Sequence, residues 1–217
     1  MPAAPSPRQA AVSPWFEMAG AQAMRDWEHR HLLQRLQGVP SQPWLWLSPN
    51  AAWRPENGPA GRGLRLHRVG NGGHWFGDLH CGLPLPLPAE GFNAIVIQHA
   101  ASEDLDRLLA ECARVLMPGG RLWMTLLNRY SPYRAHWQWQ GARPASMARS
   151  RVLLKRHGIR CQTVQYYGPL WSQAADAPGS GLPALRALCV LEAEKRTEAL
   201  IGPIKASRAG WSRPVVT

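Results

Sequence analysis

The chain has 217 residues, 45% of them hydrophobic, which is enough for one sizeable core. No apolar run approaches the roughly 18 residues of a membrane-spanning helix. The four cysteines (Cys81, Cys112, Cys161, Cys189) lie far apart, with no CxxC and no Cys/His pair at zinc spacing, so neither a disulfide framework nor a metal knuckle is indicated. The formal net charge of +11 suits anionic partners.

Residues 1–14 (MPAAPSPRQAAVSP) lack a signal-peptide core and read as a disordered leader, which makes the cytoplasm the expected location. Trp15 to Gln37 reads as a helix, with Phe16, Ala19, Ala23 and Trp27 on one face, an apolar end at Leu32, Leu33 and Leu36, and a stop at Gly38-Val39-Pro40. Trp44-Leu45-Trp46-Leu47, short and wholly apolar, reads as a buried first strand. Residues 53–63 are rich in Pro and Gly and read as loop. Leu64 to Val69 alternates as a second, poorer strand, Asn71-Gly72-Gly73 as a turn, and Trp75 to Cys81 as holding a short third strand. No helix is evident between the first two strands.

The better-patterned half follows. Phe92–Ile97 and Leu122–Leu127 are apolar runs on either side of a periodic segment, Leu105–Leu116. In that segment Leu105, Leu108, Leu109, Cys112, Val115 and Leu116 share a helical face. Ser102 is the expected N-cap, Glu103, Asp104 and Asp106 suit the first turn, and Pro118-Gly119-Gly120 turns the chain. Together they make a parallel β-α-β unit. Residues 129–144 read as loop. Ala145–His157 reads as a helix with Met147, Val152 and Leu153 or Leu154 inward, and Ile159–Tyr167 and Leu185–Ala193 as two strands that can pair antiparallel. The order indicates a three-layer α/β fold, its sheet mostly parallel with a C-terminal antiparallel hairpin. The domain then runs from residue 15 to 194, and 195–217 is a basic tail.

Residues 112–175 hold ten Arg or Lys and no Asp or Glu. Trp123, Tyr130, Tyr133, Trp137, Trp139, Tyr166, Tyr167 and Trp171 are interleaved with them. Cations neutralise phosphates and aromatic rings stack on unpaired bases, so nucleic acid is a candidate partner for this region. An Arg-rich proteome would produce a similar excess.

Leu83-Pro84-Leu85-Pro86, Phe92-Asn93-Ala94-Ile95-Val96-Ile97, His99, and Ala113-Arg114-Val115-Leu116-Met117-Pro118-Gly119-Gly120-Arg121-Leu122 resemble the class I S-adenosylmethionine-dependent methyltransferases of the type-11 group. Trp15–Leu36, Asn128-Arg129-Tyr130-Ser131 and Leu188–Ile204 resemble a small bacterial branch of that group encoded near ribonuclease H. The resemblance implies a Rossmann-like fold, S-adenosylmethionine as cofactor and methyl transfer to an unidentified acceptor. It places the cofactor over Leu47, Ser48, Asn50, Asp78, Leu79 and Gln98, with Asp78 receiving the adenine amino group. His99 and Asn128, at two strand ends, become the candidate catalytic or substrate-contacting residues, and Trp137 and Trp139 candidate covers of a pocket.

The resemblance weakens where the cofactor should be gripped. The family's glycine-rich loop corresponds to Leu47-Ser48-Pro49-Asn50-Ala51-Ala52, which has no glycine. The second strand, which should end in an acidic residue for the ribose, ends His67-Arg68-Val69-Gly70. An inactive, scaffold-like methyltransferase fold is therefore the competing expectation. A tryptophan (Trp46, Trp53 or Trp75) filling the crevice above Leu47 and Gln98 would favour it.

Overall fold

The computed structural model describes residues 14–40, 43–56, 58, 61–69, 73–138, 143–169 and 182–196. The leader, Trp139, Trp171 and most of the basic tail lie outside these residues. A short 3-10 turn, Pro14–Glu17, precedes helix α1, Ala19–Gln37. The expected continuous helix is therefore broken at Met18, whose extended backbone redirects Trp15 and Phe16.

Among the described residues seven strands follow: β1 Trp44–Ser48, β2 Gly63–Val69, β3 His74–Gly77, β4 Phe92–Gln98, β5 Leu116–Leu127, β6 Ile159–Tyr167 and β7 Leu188–Lys195. They form one sheet in the order β3-β2-β1-β4-β5-β7-β6. Strands β2, β1, β4 and β5 are parallel, and β7 inserts antiparallel between β5 and β6. The terminal hairpin is thus present, and its second strand is the one that joins the sheet centre. Strand β5 is longer than its apolar run, because Met117 to Gly120 belongs to it through an irregular register.

Helices α2, Leu105–Val115, and α4, Met147–Arg156, cover one face, and α1 covers the other. The periodic face of α2 is buried as its spacing requires. Its N-cap is Asp104, not Ser102, and the Asp104 carboxyl makes no capping bond because it pairs with Arg68 at 2.9 Å. On α4, Leu153 and Leu154 face inward, whereas Val152 is 67% exposed. Residues 129–144 are not all loop, since Arg134–Gln138 forms a short helix, α3.

Among the described residues between β1 and β2 there is only a 3-10 turn, Ala51–Trp53. The space of the missing helix is filled by side chains: Trp44, Trp46 and Trp123 pack under Leu32 and Leu36 of α1. A Cβ on Gly63 would lie 2.0 Å from the Trp44 ring, so the indole lies flat on the bare backbone there.

The turn between β2 and β3 is too short for a crossover, so β3 can only run antiparallel. Val69 faces His74 and Leu66 faces Gly77. At Gly77 the backbone has φ +138°, and an added Cβ would sit 2.1 Å from the Arg65 carbonyl oxygen. Only glycine fits this close approach. Gly77→Ala should destabilise the protein by about 2 kcal/mol or more, read as a lower urea midpoint, while Gly82→Ala, where an added Cβ meets nothing within 4 Å, should be much milder.

Candidate functional site

In parallel α/β sheets ligands bind beyond the carboxyl ends of the strands. Here that edge is formed by Ser48 at the end of β1, His67 near the end of β2, Gln98 at the end of β4 with His99 just after it, and Thr125 to Asn128 at the end of β5. Helix α1 runs so that Leu32 and Leu36 lie over the middle of the sheet and its N-terminal half reaches past this edge.

The edge is closed by a buried polar network. Glu28, fully buried, sits on the stripe Ala21, Met24, Glu28, Leu32, Leu36 that α1 turns inward. Its Oε2 accepts hydrogen bonds from Gln98 Nε2 at 3.0 Å and Thr125 Oγ1 at 2.8 Å, and its Oε1 meets His99 Nε2 at 2.8 Å. Trp46 Nε1 donates to Gln98 Oε1 at 2.9 Å. His99 has φ +47° and its backbone N–H donates to Thr125 O, which fixes the imidazole under α1. The His99 side chain is 1% exposed and its Nδ1 is buried without a hydrogen-bond partner.

What covers His99 is aromatic. The rings of Trp53, Phe16 and Trp15 lie with centroids 4.8, 5.4 and 6.4 Å from the imidazole. Trp53 is held on four sides. Its N–H donates to Asn50 Oδ1 and its Nε1 to Phe16 O, while its carbonyl accepts from Ser48 Oγ and His29 Nε2. Leu127, Tyr133, Trp137 and Leu188 extend the same cluster. A second small hydrophobic core therefore stands where an α/β sheet usually opens.

The expected site residues separate into groups. Ser48, Asn50, Gln98 and His99 meet at the edge, but their polar atoms are engaged with Trp53, Trp46 and Glu28. Leu47 is inside the main core and Leu79 is half-buried at its margin. Asp78 is not at the edge. Because β3 runs backwards, Asp78 returns beside Arg65, accepting from its N–H at 2.8 Å. Arg65 is level with Trp46, two residues short of the Ser48–His67 level and hence about 7 Å from the crevice rim. Asn128 is buried, and its Nδ2 donates to Ala184 O and Arg186 O while its Oδ1 accepts from Tyr130 N–H. That side chain clamps the segment before β7. Trp137 lies inside the aromatic cluster and packs there.

Glu28 was not anticipated. The face read through Phe16, Ala19, Ala23 and Trp27 is wrong: Ala19 and Ala23 are exposed, and Trp27 lies half-buried against His31 and Tyr167. Counting back from Leu36 and Leu32 in fours reaches Glu28, and an acid on an apolar stripe is the signal that was available.

No family model and no curated protein matches this chain. Solved structures do. A putative methyltransferase of Haloferax volcanii, solved with the Trm112 methyltransferase activator, superposes with a TM-score of 0.56 at 18% identity, over 87% of this chain and 99% of that one. A Thermotoga maritima S-adenosylmethionine-dependent methyltransferase, a possible histamine N-methyltransferase, gives 0.49 at 16% identity, over 85% and 100%. A geranyl diphosphate methyltransferase in complex with S-adenosylmethionine gives 0.49 at 17%, over 83% and 86%. The first of these shows the fold: a class I S-adenosylmethionine-dependent methyltransferase fold.

S-adenosylmethionine is the cofactor that goes with this fold, and the residues present here do not fit it. The turn after β1 brings Trp53 where a glycine-rich loop leaves room. The end of β2 offers His67 and Arg68 in place of a ribose-binding acid. Asp78 is turned away.

Two outcomes check this description. Glu28→Ala removes the acceptor of three buried groups, so it should cost about 3 kcal/mol in denaturant unfolding, far more than Glu17→Ala on the exposed first turn. His29, His31 and His67 are each held below the ordinary imidazole value chiefly by burial. The folded state then binds fewer protons than the unfolded chain. Stability should be complete above about pH 6.5 and fall as the pH drops toward 5. His29→Gln, which keeps a donor for the Trp53 carbonyl, should flatten that fall in melting temperature.

Proposed function

We propose that this chain is a non-catalytic member of the methyltransferase fold, a protein that has filled its cofactor crevice with its own side chains and works by binding a partner. The observation that carries this reading is the cover over His99, where Trp15, Phe16 and Trp53 pack on an imidazole left 1% exposed. A sulfonium cofactor binds only where backbone and polar groups surround a vacant cleft, and the space over β1 and β4 is occupied by indole and phenyl rings. The Haloferax volcanii neighbour was solved with an activator protein, so the fold is compatible with a stable protein partner.

Methyl transfer from S-adenosylmethionine to an unidentified acceptor is the second reading. The fold favours it, and so does the Glu28–His99 pair, an imidazole oriented by a carboxyl group at the end of β4. It requires residues 14–17 to leave the crevice and Trp53, which loses its partner at Phe16 O when they do, to turn away.

Calorimetric titration with S-adenosylmethionine and S-adenosylhomocysteine separates the two. The wild-type protein should give no binding heat at millimolar ligand. A Phe16→Ala, Trp53→Gly variant that remains folded should also give none, since the ribose acid and glycine loop are still missing. Saturable heat with the wild type would overturn the proposal in favour of methyl transfer.

A further inference from the structure

We propose that the β6 edge of the sheet, together with the outer side of α4, is a binding surface for single-stranded nucleic acid. The inference extends the binding-protein reading but stands on a different part of the molecule and holds whether or not the crevice takes a ligand.

The surface is built from β6, α4 and the turn after β5. Helix α4 buries Ser150, Leu153 and Leu154 and turns Arg149, Arg151, Val152, Lys155 and Arg156 outward. Arg151 and Lys155 are one turn apart, about 6 Å along the axis. Cys161 and Tyr166 of β6 pair with Ala193 and Cys189 of β7 and so point to the same side of the sheet as α4. Tyr130 is 71% exposed, with the Arg129 guanidinium 5.8 Å from its ring centroid.

The strip carries cations without compensating acids. Strand β7 contributes Glu192 and Glu194, but Ala193 and Leu191 face α4, so both glutamates point to the α1 face, where Glu192 holds Arg35 at 2.7 Å. Of the acids on the neighbouring α2, Asp106 is engaged by Arg156 and His157, and Glu111 by Arg114. Among the described residues Arg129, Arg151 and Lys155 have no carboxylate partner. Unpaired guanidinium and ammonium groups on a rigid helix suit successive phosphates. An exposed tyrosine backed by an arginine supplies a platform for an unstacked base, which a duplex does not offer. That ring selects the single strand over the double one as the favoured occupant.

The test is fluorescence anisotropy of the full-length protein with a labelled oligouridylate of about 15 nucleotides. An equal-length RNA duplex and polyglutamate serve as competitors, over a range of salt. Binding should weaken as salt rises, with a log–log slope of roughly −0.7 per phosphate contacted. Arg151→Glu with Lys155→Glu should weaken it at least tenfold and shallow the slope. Arg54→Glu with Arg62→Glu, an equal charge change in the β1–β2 connection, should do much less. Tyr130→Ala, at an exposed position where folding is not at stake, should weaken single-strand binding roughly tenfold and leave the salt slope unchanged. No binding near physiological salt, equal weakening by the two charge reversals, or tighter binding to the duplex or to polyglutamate would each overturn the proposal. Because no methyl donor is present, none of these outcomes bears on the crevice titration.

Discussion

One buried carboxyl group determines how this molecule is put together. Glu28 is inaccessible to water, and a polar group so placed is tolerated only if its oxygens are hydrogen-bonded. Gln98, His99 and Thr125 meet that requirement, and they sit at the ends of adjacent central strands. A slip of α1 by one residue would strand all four groups. The helix is therefore held in register along its length, and the aromatic residues on its N-terminal side are delivered to the strand ends. The closed crevice follows from that register, as does the burial of His99.

The same sheet also explains why an acid expected to contact adenine is elsewhere. A crossover helix between β2 and β3 would have kept β3 parallel and brought its end to the crevice. The short Gly-rich turn forces a hairpin, and a hairpin carries whatever follows it back toward the start of β2. Asp78 then serves the Arg65 backbone. A local change of connection thus removes one ligand-binding group without changing its identity in the sequence.

Much of the fold could be read from residue order because the signals were local. The periodicity of α2, the apolar runs of β4 and β5 and the paired final strands depend on neighbours a few positions away. The site was less legible because its determinants are non-local. Nothing near Ala51-Ala52-Trp53 announces that Trp53 will pack on His99, 46 positions later in the numbering, or that Phe16 O will receive its indole N–H. The stripe through Glu28 was in the sequence but was masked by tryptophan and alanine, whose burial was assumed from type. Val152 shows the converse, an apolar residue left outside because Leu153 and Leu154 already fill the inward side of α4.

Arg35, in the last turn of α1, donates to Glu192 and to Gln165, partners 157 and 130 positions away. With the Glu28 network, this means that α1 is finished only by strands made much later. As the chain leaves the ribosome, α1 has no sheet to lie on until β4 and β5 have followed, and its last ties wait for β6 and β7. Contacts of such long sequence separation are slow to form. A helix made before the sheet is thus the last to be secured, and its apolar stripe is a surface in need of protection during synthesis.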